Sequence, residues 1–273
     1  MPAFNRGCVV GEVSKLYRSA LAVTEICWCL DLDGVLWLAD QPIAGSSEAV
    51  KMLRAAGFGV RFVTNNSVPT LEQYRSKLGS FGIEIADGEV ISSSMAAASL
   101  IAPGERVYVV GGAGLREAVA SAGAEVVDSS DADVVAVGWA RDFNFEIISK
   151  ALSAILAGAR FVATNDDPTY PTPNGLVPGA GSMVRSISYS TGVEPEVSGK
   201  PNRAISELLK QSVGSGSVMV GDRFSTDGLF AKRAGMPFYL VLSGVTKDVD
   251  PSWDPPPSKV ASDLLTLVKG VLN

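Results

Sequence analysis

The chain has no histidine among its 273 residues. That absence removes Ser-His-Asp and Cys-His nucleophile systems and every histidine-ligated metal site, and it leaves proton transfer to Asp, Glu, Lys, Tyr or Cys. Cysteine is nearly as scarce. Cys8, Cys27 and Cys29 are an odd number without zinc-site spacing, and the last two flank Trp28 in an apolar run where buried thiols are expected. Basic residues are outnumbered 23 to 29, giving a net charge of −6. With a pI near 4.8, this argues against a nucleic-acid or anionic-membrane surface, though not against a small anionic substrate. No apolar run approaches the ~18 residues needed to span a bilayer. Val9–Ile26 is interrupted by Glu12, Lys15, Arg18 and Glu25, which suits an amphipathic helical extension over residues 1–26 better than a signal-peptide core. The cytoplasm is the default expectation.

What is present is globular: 47% hydrophobic and 19% charged residues, in a length that allows a core and a second module. Apolar runs alternate with helical spacing throughout, implying an α/β fold with a largely parallel sheet. Strands are expected at Cys27–Leu30, Val60–Thr64, Val107–Val110, Val134–Gly138, Phe161–Thr164, Val218–Val220 and Phe238–Leu242. Helices are expected at Ser46–Ala56, Thr70–Phe81, Leu115–Ala122, Glu146–Ala157, Asn202–Gln211 and Asp227–Ala234. Asn165–Gly181, rich in Pro, Gly, Asp and Thr, reads as a long functional loop.

The most informative segment is Asp31-Leu32-Asp33-Gly34 at the end of the first strand. Residues i and i+2 of a strand share a side, so two acids converge there. A divalent cation with a phosphorylated ligand gives such a pair a purpose; a solvated Asp-Gly turn is the alternative. Three further segments fit one phosphate site. Thr64-Asn65-Asn66-Ser67 follows a strand, Gly199-Lys200-Pro201 precedes a helix, and Gly221-Asp222-Arg223-Phe224-Ser225-Thr226-Asp227 follows another strand. Each alone has a plain reading as a turn, a surface lysine or a helix cap. Gly111-Gly112-Ala113-Gly114 is explained more simply as a tight turn than as a dinucleotide fingerprint.

In that order the four segments resemble the motifs of the haloacid dehalogenase (HAD) superfamily of phosphohydrolases. The insertion between the second and third resembles the branch with a large α/β cap, which includes 4-nitrophenyl, phosphoglycolate, glycerol-phosphate and pyridoxal phosphatases. The likeness runs from about Cys27 to Thr246. It implies a Rossmann-like core with a parallel sheet, formed by residues 27–94 and 188–273, and an inserted α/β cap over 95–187. It implies Mg2+-dependent hydrolysis of a small phosphorylated metabolite through an aspartyl-phosphate, with Asp31 as nucleophile and Asp33 as acid and base. Magnesium would be held by Asp31, Asp33 (through its carbonyl) and Asp222. Thr64, Asn65 and Lys200 would bind phosphate, and Asp227 would orient the metal shell or Lys200.

Substrate choice falls to the cap. Tyr170 stands where pyridoxal phosphatases carry histidine, which puts pyridoxal phosphate in doubt; Tyr170 either contacts the leaving group or packs between prolines. Trp139, Arg141 and Asp142 are weaker candidates. The resemblance also allows a homodimer through the cap. Other readings are a non-catalytic phosphoryl-ligand module of the same fold, a phosphotransferase, and a glycosyltransferase with an Asp-x-Asp metal site, the last of which offers no role for Lys200 or Asp222.

Overall fold

The structure, a computed structural model, describes residues 25–172 and 175–273. Residues 1–24 of the expected N-terminal extension, Cys8 among them, lie outside these residues. In chain order the first part comprises β1 (Cys27–Leu30), β2 (Trp37–Leu38), β3 (Gln41–Pro42), α1 (Ser46–Ala55), β4 (Gly59–Thr64), α2 (Leu71–Ser80), β5 (Val90–Ser92) and α3 (Ser93–Ala98). Next come β6 (Arg106–Val110), α4 (Ala113–Ser121), β7 (Glu125–Val127), β8 (Val134–Val137), α5 (Phe145–Leu156), β9 (Arg160–Ala163), β10 (Thr169–Thr172), β11 (Gly175–Pro178), α6 (Ala180–Thr191) and β12 (Glu196–Val197). The chain ends with α7 (Arg203–Lys210), β13 (Val218–Gly221), a π-helical turn at Phe224–Gly228, α8 (Leu229–Ala234), β14 (Phe238–Val241), β15 (Lys259–Ala261) and α9 (Leu264–Leu272).

The first sheet has the order β15-β14-β13-β1-β4-β5, and all its pairings are parallel. Buried on both faces, its strands are apolar without alternation. In β1, Trp28 and Leu30 join the layer beneath α1 and α9, with Val50, Leu53 and Leu267. Cys27 and Cys29 join the opposite layer with Ile205, Leu209 and Phe230. The thiols are fully buried, and burial pushes both up from the usual cysteine range, as expected for inert packing groups. The chain winds outward from β1 in two directions, which opens a crevice at the carboxyl ends of β1, β4 and β13.

The second sheet, β12-β9-β8-β6-β7, is also all parallel. It has its own core, in which Val135, Val137, Phe161 and Ile187 pack together. Two expected boundaries shift. Ile187 falls inside α6, and Glu196 and Val197 of β12 pair with Val162 and Ala163, so the chain leaves this unit only after Val197. Met95 falls inside α3, a helix that touches both α4 and α7 and so belongs to the junction. The expected loop Asn165–Gly181 contains the antiparallel hairpin β10–β11.

The two units meet closely where α4 begins. Gly114 N–H donates to Val68 O at 2.8 Å, and a Cβ at Gly114 would collide with the Pro69 carbonyl. Close backbone approach is thus the reason for the glycine-rich turn.

Candidate active site

Asp31 leaves β1 with its N–H bonded to Val220 O of β13 at 2.9 Å. Its carboxylate meets Lys200 Nζ at 2.8 Å. The same ammonium donates to Asp227 Oδ1 at 2.7 Å and to the Val63 carbonyl at 2.9 Å. All three N–H bonds are therefore spent, in a side chain only 2% exposed. Burial pulls the ammonium down, but the charges of Asp227 and Asp31 and their hydrogen bonds outweigh it, so Lys200 stays above its ordinary range. Asp31 is pushed up by burial and by Asp227 and Asp222, against the pull of Lys200.

Asp222, at the end of β13, lies under Gly34. That glycine has φ +86, and a Cβ there would strike the Asp222 carboxylate. The backbone N–H of Val245 holds Asp222 Oδ2. Burial and the charge of Asp227 push Asp222 up to about 6, against that hydrogen bond. The π-helical turn brings Asp227 back beneath the strand end. Its Oδ1 takes Lys200 and its Oδ2 accepts the Arg223 N–H at 3.2 Å.

Asp31, Asp222 and Asp227 offer carboxylate oxygens within 4.8 Å of one another. One ammonium among three acids, two of them buried, leaves the cluster short of positive charge, and oxygen donors of this kind fit a hard divalent ion. Both Asp227 oxygens are engaged, so Asp31 and Asp222, which line the cleft, are the carboxylates suited to hold it.

Asp33 lies in the same cleft, its Oδ1 accepting from Trp37 Nε1 at 2.9 Å. Burial pushes its carboxyl up, with the indole bond opposing. Thr64 lines the cleft, and its hydroxyl accepts from Asn66 N–H at 3.1 Å. The Asn65 side chain has a task that the sequence does not show. Its Oδ1 accepts the Lys200 N–H at 2.7 Å, and its Nδ2 donates to Lys200 O at 3.0 Å and Asp167 Oδ2 at 3.2 Å. Its side chain fastens the lysine loop to β4 and has no N–H left for a phosphate.

The second unit closes the other side of a cavity of about 980 Å³. Tyr170, on β10, and Trp139 contact each other, with ring centroids 5.8 Å apart. Trp139 is anchored by its N–H to Pro178 O at 2.7 Å, and the Arg141 guanidinium lies 5.3 Å from the Trp139 ring centroid. All three line the cavity, whereas Asp142 does not. Burial, then Asp33 and Asp40, push the Tyr170 hydroxyl up, so it remains a neutral donor at physiological pH. Asp167 faces Arg223 across the junction at 3.8 Å. Trp37 and Asp167 carry no role in the reading of the sequence. The only signals for them were an aromatic N–H four residues from an acid and an acid inside a proline-bounded loop.

Two family models cover most of the two ends of the chain. The haloacid dehalogenase-like hydrolase model matches residues 28–125, and a HAD-hydrolase-like model matches 197–267. The chain is 39% identical to the 5'-nucleotidase YutF of Bacillus subtilis, over 81% of this chain and 88% of that protein. Among solved structures, glycerol phosphate phosphatase from Mycobacterium tuberculosis, in complex with magnesium, superposes with TM-score 0.82 at 34% identity, covering 89% of this chain and 76% of that one. The p-nitrophenyl phosphatase from Archaeoglobus fulgidus gives TM-score 0.82 at 33% identity, covering 90% and 99%. With its acids gathered at the carboxyl ends of a doubly wound sheet, the chain belongs to the haloacid dehalogenase-like hydrolases and is a phosphatase of that type.

Proposed function

We propose that the protein is a magnesium-dependent phosphomonoesterase that works on a small phosphorylated metabolite through an aspartyl-phosphate on Asp31. The observation that carries this reading is the Lys200 ammonium, 2.8 Å from Asp31 and 2.7 Å from Asp227. It fixes one carboxylate at the mouth of the cleft, with Asp222 and Asp33 beside it. Asp31 forms a bond to phosphorus as the ester P–O bond breaks, and Asp33 gives its proton to the departing oxygen. Asp33 then takes a proton from the water that hydrolyses the aspartyl-phosphate. The Asp31 and Asp222 side chains and the Asp33 carbonyl would hold magnesium, which when bound neutralises phosphate charge and polarises its oxygens.

Residues 106–197 serve as the cap in this reading. Tyr170, Trp139 and Arg141 face the leaving group there, and the cavity suits a metabolite rather than a macromolecular ester. The relatives act on different substrates, so a screen of phosphorylated metabolites ranked by kcat/KM identifies the preferred one.

Asp31→Asn keeps the size of the side chain and removes the nucleophile. Its turnover of 4-nitrophenyl phosphate with Mg2+ should fall ~10³-fold or more, with an unchanged circular dichroism spectrum. In the wild type, a chelator should abolish turnover and added Mg2+ restore it. Wild-type rates from purified Asp31→Asn would refute the mechanism.

A further inference from the structure

We infer that Trp37 is a positioning residue for Asp33, holding one carboxyl oxygen so that the other is presented to the leaving group. The inference rests on the reading of Asp33 as the acid. The chain reverses at Gly34, whose N–H donates to the Trp37 carbonyl at 2.7 Å. The reversal brings the indole of residue 37 back to the side chain of residue 33, and Trp37 Nε1 donates to Asp33 Oδ1 at 2.9 Å.

The ring has little freedom to leave. It is 2% exposed, lies against Phe81 with centroids 5.9 Å apart, and carries the Lys77 ammonium 4.5 Å from its centroid. Lys77 is itself held by the Ala39 carbonyl at 2.9 Å and by Asp40 at 3.5 Å. An indole N–H only donates. The bond to Oδ1 therefore persists whether or not the carboxyl carries a proton, and that proton belongs on Oδ2. Among the described residues Oδ2 has no hydrogen bond, and Asp33 lines the cleft. In the first step, Asp31 bonds to phosphorus, the ester P–O bond breaks, and the Oδ2 proton passes to the leaving oxygen. An indole that merely filled the core would contribute to stability without affecting that transfer.

Leaving groups separate these roles. The 4-nitrophenolate ion departs without a proton far more readily than phenolate does. We therefore compare kcat/KM, which reports the first step, for phenyl phosphate and 4-nitrophenyl phosphate. Two variants lack the indole N–H: Trp37→Phe, and benzothienylalanine placed at position 37, which keeps the bicyclic shape if the smaller phenyl ring destabilises the fold. The phenyl to nitrophenyl ratio should fall ~10-fold in both, a fraction of what a general acid contributes. If both esters lose the same factor, or neither changes, Trp37 is structural only. Asp33→Asn is the control. If it depresses the phenyl to nitrophenyl ratio while the Trp37 variants do not, the inference alone fails; if it hydrolyses both esters at wild-type rates, the reading of Asp33 as the acid fails with it.

Discussion

Lys200 is the residue on which the centre most depends. An ammonium buried to 2% exposure would be prohibitive alone, yet Asp31, Asp227 and the Val63 carbonyl satisfy all of its donors. Removing one member of such a group leaves the others charged and unpaired. Lys200→Met should cost about 3–5 kcal/mol, measured by urea denaturation in the presence of chelator, and should abolish turnover. A midpoint equal to the wild type's would show that the acids relax without their partner. Asp31, Asp33 and Asp222 were legible because they stand just past apolar runs, and a doubly wound sheet brings such ends together. Asn65 was legible as a site residue, but the fastening done by its side chain was not. Whether an amide meets a phosphate or fastens a neighbouring loop depends on where residue 200 lies, and no local pattern encodes that. Trp37 was hidden for a related reason, since its partner is reached only through the left-handed turn at Gly34.

Elements with long apolar runs or strong caps were readable, and short ones were not. For α2, Thr70 and Gln73 form a reciprocal capping box at the expected start. Helix α1 has no side-chain cap: Gly45 stands at its N-cap with φ +80, and Ser46 is buried in the first turn. The strands β5, β12 and β15 have three residues or fewer and acquire their state from neighbours already in place. The hairpin β10–β11 looked like a loop because prolines interrupt it, yet two-stranded ribbons tolerate residues without N–H at unpaired positions. Helix α9 also went unread, although Asp263 caps it. The Asp263 carboxylate accepts from Thr266 N–H at 2.8 Å and from the Thr266 and Ser262 hydroxyls at 3.0 and 2.7 Å. Slight burial pushes it up, but these bonds outweigh it and hold it below the usual carboxylate range. A lowered carboxyl adds stability above its unfolded value and loses it as pH falls through the folded one. Asp263→Ala should therefore cost ~1 kcal/mol at pH 7, and the gap to the wild type should close on acidification below the ordinary carboxylate pKa of about 3.9. Parallel denaturation curves across that range test both parts; a gap independent of pH would assign the loss to packing instead.

At the scale of the whole molecule, the insertion itself was legible from alternation and motif order, but its seam was not. The two units share α3, and the seam is stitched by backbone, amide and hydroxyl bonds: Gly199 N–H to Thr164 O at 2.7 Å, Asn165 Nδ2 to Asn65 O at 2.9 Å, and Thr164 Oγ1 to Ser67 Oγ at 3.2 Å. The last two join residues about a hundred positions apart, beyond the reach of any periodicity argument. Asp167 and Arg223 add a looser tie at 3.8 Å, each half-buried and both lining the cavity. A pair of this exposure contributes about 1 kcal/mol or less, a minor part of what joins the two walls of the cavity. Asp167→Asn removes the charge while an amide oxygen can still accept from Asn65. KM for 4-nitrophenyl phosphate should rise by up to ~5-fold, and the variant should respond less to added salt than the wild type, whose ion pair is screened. The preference between phenyl and nitrophenyl esters should stay as in the wild type, because Asp33 and its bond to Trp37 are untouched. The double variant Asp167→Asn/Arg223→Gln decides the cause: if the two residues act as a pair, its KM matches that of the single variants, whereas multiplied effects would mean that each residue touches the substrate independently.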